Sequence, residues 1–252
     1  MRFLILFLMA MLSSVVPAQG TTGLHVAMLG DSNTFIGGND CTGERGWSKW
    51  FAEQLHPSSC HSYARSGATW THTPQTTRNT TFYSEVLTDD NVVSNQVYRL
   101  CDTCATGRQP IPDLIIIMAG TNDAWFVHRR PMAFCADTTT GSLTLAGAVT
   151  LCCKQLRSAF PQASIVLVTP LQTTAAPLER IQQTGNIIEQ CGRQMDIPVI
   201  RLDRESCISC NDEQRRRHYT TDGTHTSVAG AREVGTLLAH RIKELLQPTT
   251  KK

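Results

Sequence analysis

The chain has 252 residues, with 23 Lys and Arg against 21 Asp and Glu and a formal charge of +2. That near-neutral balance leaves no global basic footprint, so nucleic acid is excluded as a partner class. The length suits one α/β domain with a sizeable core.

The first residues read Met1-Arg2, then an apolar run over residues 3–12, then small residues to Ala18. This is the pattern of a secretory signal peptide, with cleavage expected after Ala18. The run is short for a membrane span. No cysteine follows closely enough to suggest a lipoprotein anchor. No later stretch is long and apolar enough for stable membrane insertion. Residues 19–252 are then expected to form a single domain that is secreted or periplasmic.

Residues 24–29, LHVAML, read as a buried strand ending at Gly30. Residues 47–55 predict a helix with Trp50, Phe51 and Leu55 inward. A short strand is expected over 59–64, then a Thr- and Asn-rich loop over 68–90 and a helix over 92–100. Residues 112–120, PDLIIIMAG, contain the clearest buried strand, β-branched and uninterrupted. A polar segment runs through Gly141, followed by a helix over 143–160 and a strand over 163–169 that Pro170 ends. A helix over 177–195, a strand over 197–202, a cysteine-bearing loop over 203–221 and an amphipathic helix over 228–246 complete the pattern. Residues 247–252 are expected to fray. Alternating strands and helices imply a parallel sheet covered on both faces. With right-handed crossovers this predicts a three-layer α/β/α sandwich of flavodoxin-like type with about five parallel strands.

Ten cysteines stand at 41, 60, 101, 104, 135, 152, 153, 191, 207 and 210. An even count in an exported chain favours structural disulfides, with the connectivity open. Cys101/Cys104 and Cys207/Cys210 have C-x-x-C spacing, which also suits a four-thiolate zinc site or a redox pair. Neither pair opens a helix after a strand, so disulfides rank first. The run Arg215-Arg216-Arg217-His218 reads as a solvated loop; its place just before Asp222 leaves an approach to an anionic substrate as the other reading.

Four short motifs carry chemistry: Gly30-Asp31-Ser32-Asn33, Ser66-Gly67, Gly120-Thr121-Asn122-Asp123 and Asp222-Gly223-Thr224-His225. Each alone reads equally well as a turn. In combination they supply a nucleophile, oxyanion donors and an acid–base pair. Ser32 follows a strand, where open α/β sheets place ligands. A serine hydroxyl needs a base within hydrogen-bond reach, and His225 is the candidate. Asp222, three residues earlier, can orient the imidazole and stabilise its charged form. The Asn122 amide and the backbone N–H groups of Gly67 and Ser32 are candidate oxyanion donors.

Four such motifs in this order resemble the SGNH hydrolases, or GDSL esterases and lipases. Ser32, Gly67, Asn122 and His225 match the four residues that name that family, and Asp222 completes its triad. The resemblance runs from Gly30 to His225 and implies the same flavodoxin-like fold, an acyl-serine mechanism and no metal or organic cofactor. One departure is Asn33 where the family's first block has Leu, which is expected to touch only local packing. The α/β-hydrolase elbow Gly-x-Ser-x-Gly is absent, because Thr34 replaces its second glycine.

The expected reaction is hydrolysis of acyl esters. Polar loops favour a small-molecule or glycan ester, an O-acyl or O-acetyl group on carbohydrate, over a long-chain lipid. Trp70 and Trp125, each just after an oxyanion motif, either line the pocket mouth or cover the sheet edge. The alternatives are a lysophospholipase or thioesterase on the same fold, a non-catalytic glycan-binding domain, and a thiol-disulfide or zinc protein.

Overall fold

The structure, a computed structural model, describes residues 23–81, 86, 88–136 and 138–247. The expected signal peptide and residues 248–252 lie outside them. Five strands form one parallel sheet: β1 (His25–Gly30), β2 (Ser59–Ser62), β3 (Leu114–Met118), β4 (Ser164–Val168) and β5 (Val199–Ile200), in the order β2-β1-β3-β4-β5. That 2-1-3-4-5 order is the flavodoxin-like one.

Strand β3 is central and buried at every position, which is why it reads as an unbroken apolar run. Its side chains alternate between two cores. Ile115 and Ile117 face one, with Ala27, Leu29, Ile165 and Leu167 from the flanking strands. Helices α3 (Val93–Ala105), α5 (Leu145–Ala159) and α6 (Leu178–Met195) cover that face through Val97, Leu100, Val149, Leu156 and Ile188. Leu114, Ile116 and Met118 face the other, with Val26 and Met28. There α2 (Trp47–Leu55) and α9 (Val228–Leu246) supply Trp47, Phe51, Leu55, Val234, Leu238 and Ile242. The two faces of one strand thus account for the three layers.

Three expectations about the helices and strands change. In α2 it is Trp47, not Trp50, that is fully buried; Trp47, Phe51 and Leu55 recur every fourth residue, on one helical face. Trp50 stays half-buried beneath the guanidinium of Arg232, 4.3 Å from its ring centre. The segment 203–221 is not all loop. It contains α8 (Glu213–Tyr219), capped by the Asp212 carboxylate accepting from Arg215 N, so the basic run is helical. Strand β5 is only two residues long, because the chain turns at Leu202 into the short helix α7 (Leu202–Glu205).

All ten cysteines are free thiols, contrary to the expectation of disulfides. Cys101 and Cys104 lie one turn apart on α3, and Cys152, Cys153 and Cys191 are packed into the core. Cys41 and Cys60 both approach the Met28 sulfur at 3.9 Å. A hydrogen bond with Cys41, together with burial, pushes the Cys60 thiol well above its usual range. Among the described residues no group of three or more His, Cys, Asp or Glu is placed to hold a metal, so the two C-x-x-C pairs form no zinc site.

Candidate active site

The carboxyl ends of β1 and β3 meet tightly. A Cβ on Gly30 would run into the Met118 carbonyl oxygen, so only glycine lets the two strands close here. Gln96 of α3, buried, straddles Gly30: its amide oxygen accepts from Gly30 N and its amide nitrogen donates to Gly30 O, both at 2.8 Å. The chain then turns into α1 (Ser32–Phe35), with the Asp31 carboxylate capping Asn33 N at 3.2 Å. Ser32 is therefore the first residue of a helix at a strand end. Trp47 Nε1 holds the same helix from beneath by donating to Thr34 Oγ1 at 3.1 Å.

Asp222-Gly223-Thr224-His225 lies between α8 and α9. One Asp222 oxygen accepts from Thr224 N at 2.9 Å and His225 N at 2.7 Å. This Asx-type turn folds the histidine back onto its own aspartate. The other oxygen meets His225 Nδ1 at 2.6 Å. His225 Nε2 stands 3.0 Å from Ser32 Oγ. Partial burial opposes ionisation of Asp222. Hydrogen bonds from the His225 ring and from the backbone of His225 and Thr224 outweigh it, holding the carboxyl below the usual range. Ser227 follows as the N-cap of α9, accepting from Gly230 N.

Gly67 has φ +77°, and a Cβ there would lie 2.7 Å from the Val86 backbone, so conformation and contact both call for glycine. The N–H groups of Ser32 and Gly67 have no protein acceptor among the described residues. Asn122, in helix α4 (Thr121–Trp125) after β3, donates its amide to Ala68 O at 2.9 Å. That bond ties the Asn122 turn to the Gly67 loop. Asp123 strengthens the tie by accepting from Trp70 N and Thr71 N, both at 2.9 Å, and from Thr71 Oγ1 at 2.6 Å. Burial raises the Asp123 carboxyl, against hydrogen bonds from Thr71 and Trp70 and the charge of Arg130.

Asp31 is fully buried beside this cluster. Burial pushes its carboxyl up to about 6, with Thr121, Asn33 and His225 pulling the other way. His225 Nδ1 nevertheless pairs with Asp222, not with Asp31 or Asp123.

Asn33 does more than pack locally. Its amide donates to Thr224 O at 3.2 Å and accepts from Thr226 N at 3.3 Å, gripping the chain on both sides of His225. Sequence reading missed this clasp and the Gln96 and Asp123 anchors. The two tryptophans also separate. Trp70 is fully buried in the core, away from any pocket mouth, whereas Trp125 is 43% exposed and stacks on Phe126 at 4.6 Å between ring centres.

Solved structures share the fold at low identity. A lipase/acylhydrolase from Enterococcus faecalis is 18% identical, covering 90% of this chain and 100% of its own, with a TM-score of 0.56. A carbohydrate acetylesterase from Sinorhizobium meliloti is 19% identical over 87% of this chain and 98% of its own, with a TM-score of 0.54. A protein from Lactobacillus plantarum is 17% identical over 88% and 98%, with a TM-score of 0.65. No curated protein matches the chain in sequence. The family described as GDSL-like lipase/acylhydrolase matches residues 28–233, a span that holds the strand-end serine, the glycine loop, the asparagine and the Asp-x-x-His turn. The chain belongs to that family and is a hydrolase of ester bonds.

Proposed function

We propose that this protein is an exported esterase that removes O-acyl groups, acetyl above all, from carbohydrate. The observation that carries the catalytic part is the continuous contact from Asp222 through His225 to Ser32, at 2.6 and 3.0 Å. In this reading neutral His225 takes the Ser32 proton as Oγ attacks the ester carbonyl. Asp222 fixes the tautomer in which Nδ1 carries the hydrogen and stabilises the imidazolium that forms. The N–H groups of Ser32 and Gly67 and the Asn122 amide donate to the developing oxyanion. His225 then returns the proton to the leaving alcohol, and the same residues hydrolyse the acyl-serine with water. The chemistry needs no metal or organic cofactor. The expected partner is a small-molecule or glycan ester substrate, without nucleic acid or stable membrane insertion.

Carbohydrate as the alcohol is supported by the exposed Trp125–Phe126 stack, a flat apolar face of the kind that packs on sugar rings, on the helix that carries Asn122. The fold neighbour from Sinorhizobium meliloti, a carbohydrate acetylesterase, agrees with it. Export rests on the amino-terminal pattern through Ala18.

A panel of acetylated xylan, acetylated monosaccharides, aryl esters of increasing chain length and a lysophospholipid tests the substrate. Acetate release from the carbohydrates, with rates falling as the acyl chain lengthens, is expected. Faster turnover of the lysophospholipid would overturn the carbohydrate reading. An active-site-directed fluorophosphonate should add to Ser32, mapped by mass spectrometry; an adduct on another serine would remove Ser32 from its role. The mature protein should begin at Gln19, as read by intact mass after expression with its leader.

A further inference from the structure

A cavity of about 400 Å³ lies along the free edge of the sheet, walled by β2, α3 and the turn before β3. Arg65, Arg99 and Arg108 line it, with Tyr63, Asn39 and Asp102. None of Ser32, Gly67, Asn122, Asp222 or His225 does.

Arg99 is the unusual member. It is 8% exposed, and its hydrogen bonds go to neutral carbonyls: Nη2 to Tyr63 O at 2.9 Å and Nη1 to Thr81 O at 3.4 Å. Its Nε has no partner among the described residues. Neither Arg99 nor Arg108 pairs with a described carboxylate; Asp102, the acid in the wall, pairs with Arg78 at 3.3 Å. Arg65 adds a second guanidinium, donating to Ala64 O at 2.5 Å and Asn39 Oδ1 at 3.3 Å. Burial, and repulsion from Arg99, bring Arg65 down to about 9; burial, opposed by Tyr63, brings Arg99 down to about 10. A guanidinium is hard to deprotonate, so a buried one held only by carbonyls is a charge without its counterion. An oxyanion in the cavity would supply that counterion.

We propose that this pocket binds an oxyanion carried on a group of monosaccharide size, the carboxylate or phosphate of an acidic sugar. The volume lies within the range of small-molecule sites. The fork of Arg99 and the rim charge of Arg108 provide recognition, and the site works independently of the esterase centre.

Isothermal titration of the full chain at low ionic strength, with inorganic phosphate and with D-glucuronate in separate runs, tests this. At least one should bind saturably at one site, more weakly as salt is added. Arg99→Gln should weaken binding roughly ten- to a hundredfold, as loss of hydrogen bonds to a charged group does. Arg108→Gln, at an exposed position that does not endanger the fold, should weaken it by about threefold or more. Tighter glucuronate assigns the site to a sugar acid, and tighter phosphate to a phosphorylated one. Absence of saturable binding by both ligands would overturn the proposal, as would binding that both variants leave unchanged. The readout is binding, so it stands or falls apart from the esterase reading, and Arg108→Gln should keep wild-type turnover of an aryl acetate.

Discussion

Ser32 and Asn122 stand just beyond the ends of the two central strands and are 6% and 4% exposed. Their backbones continue directly from β1 and β3, and Gln96 and Asp123 lock the surrounding turns. The Asp222 and His225 side chains are 50% and 29% exposed and lie on a connection between two helices, away from any strand. One half of the site is positioned by the sheet, the other by a single turn of hydrogen bonds and the Asn33 clasp. The sheet-borne half should therefore tolerate little change of shape, while the loop-borne half should lose activity with little loss of fold.

The largest test of that contrast is Asp222→Asn. The side chain is half exposed, so the melting temperature should move little. The imidazole loses the acceptor that selects its tautomer, and kcat should fall by up to about 10⁴ if the relay behaves as triads do. Near-normal turnover of an aryl acetate would show that His225 is oriented by something else.

Asn122→Ala attacks the sheet-borne half. If Asn122 donates to the oxyanion as proposed, its loss should cost roughly 10²–10³ in kcat with little change in KM. It also frees the Ala68 carbonyl, so the melting temperature should fall, unlike that of Asp222→Asn. A rise in KM alone would make Asn122 a substrate-holding residue.

Asn33→Leu joins the halves in one experiment, since it restores the family's usual first block while cutting the clasp. Thr224 O and Thr226 N would lose their side-chain partners. A misplaced His225 should lower kcat about ten- to a hundredfold with KM unchanged, for a displacement worth roughly 1.4–2.8 kcal/mol in the barrier. A fall in melting temperature with unchanged kcat would reduce Asn33 to a structural role.

These cases mark where reading the sequence stops. The β3 run, the α2 and α9 boundaries and the order of the four motifs were legible, because burial on two faces and helical spacing are local patterns. Helix α8 was not, since EQRRRHY has no apolar stripe; its one local signal was Asp212 in capping position. Trp47 and Trp50 lie within one turn of α2, and helical spacing alone does not say which of the two faces the core. Asn33 and Gln96 were illegible for another reason. Their partners lie 191 and 66 residues away, and no spacing rule connects them. The thiol state of the cysteines depends on which helices bring them near one another, which the count alone does not contain.

Asp31 leaves turnover aside and gives the finest test of the buried half, read in stability alone. Its carboxyl sits at about 6 in the folded protein, against 3.8 for the ordinary group. Below about pH 4 both folded and unfolded chains hold the proton. Between 4 and 6 the folded chain keeps a proton that the unfolded chain has released, so stability drains away as pH rises through that window. Above about 6 the deficit is constant, on the order of 3 kcal/mol at most. Asp31→Asn keeps an oxygen to cap Asn33 N but cannot ionise. The variant should therefore gain on the wild type by several degrees in melting temperature between pH 4 and 6, and hold that lead at pH 7. Groups common to both proteins cancel in the difference. If the two melting curves run parallel across this window, Asp31 is ionised in the fold, and the turn after β1 carries a buried negative charge beside Ser32.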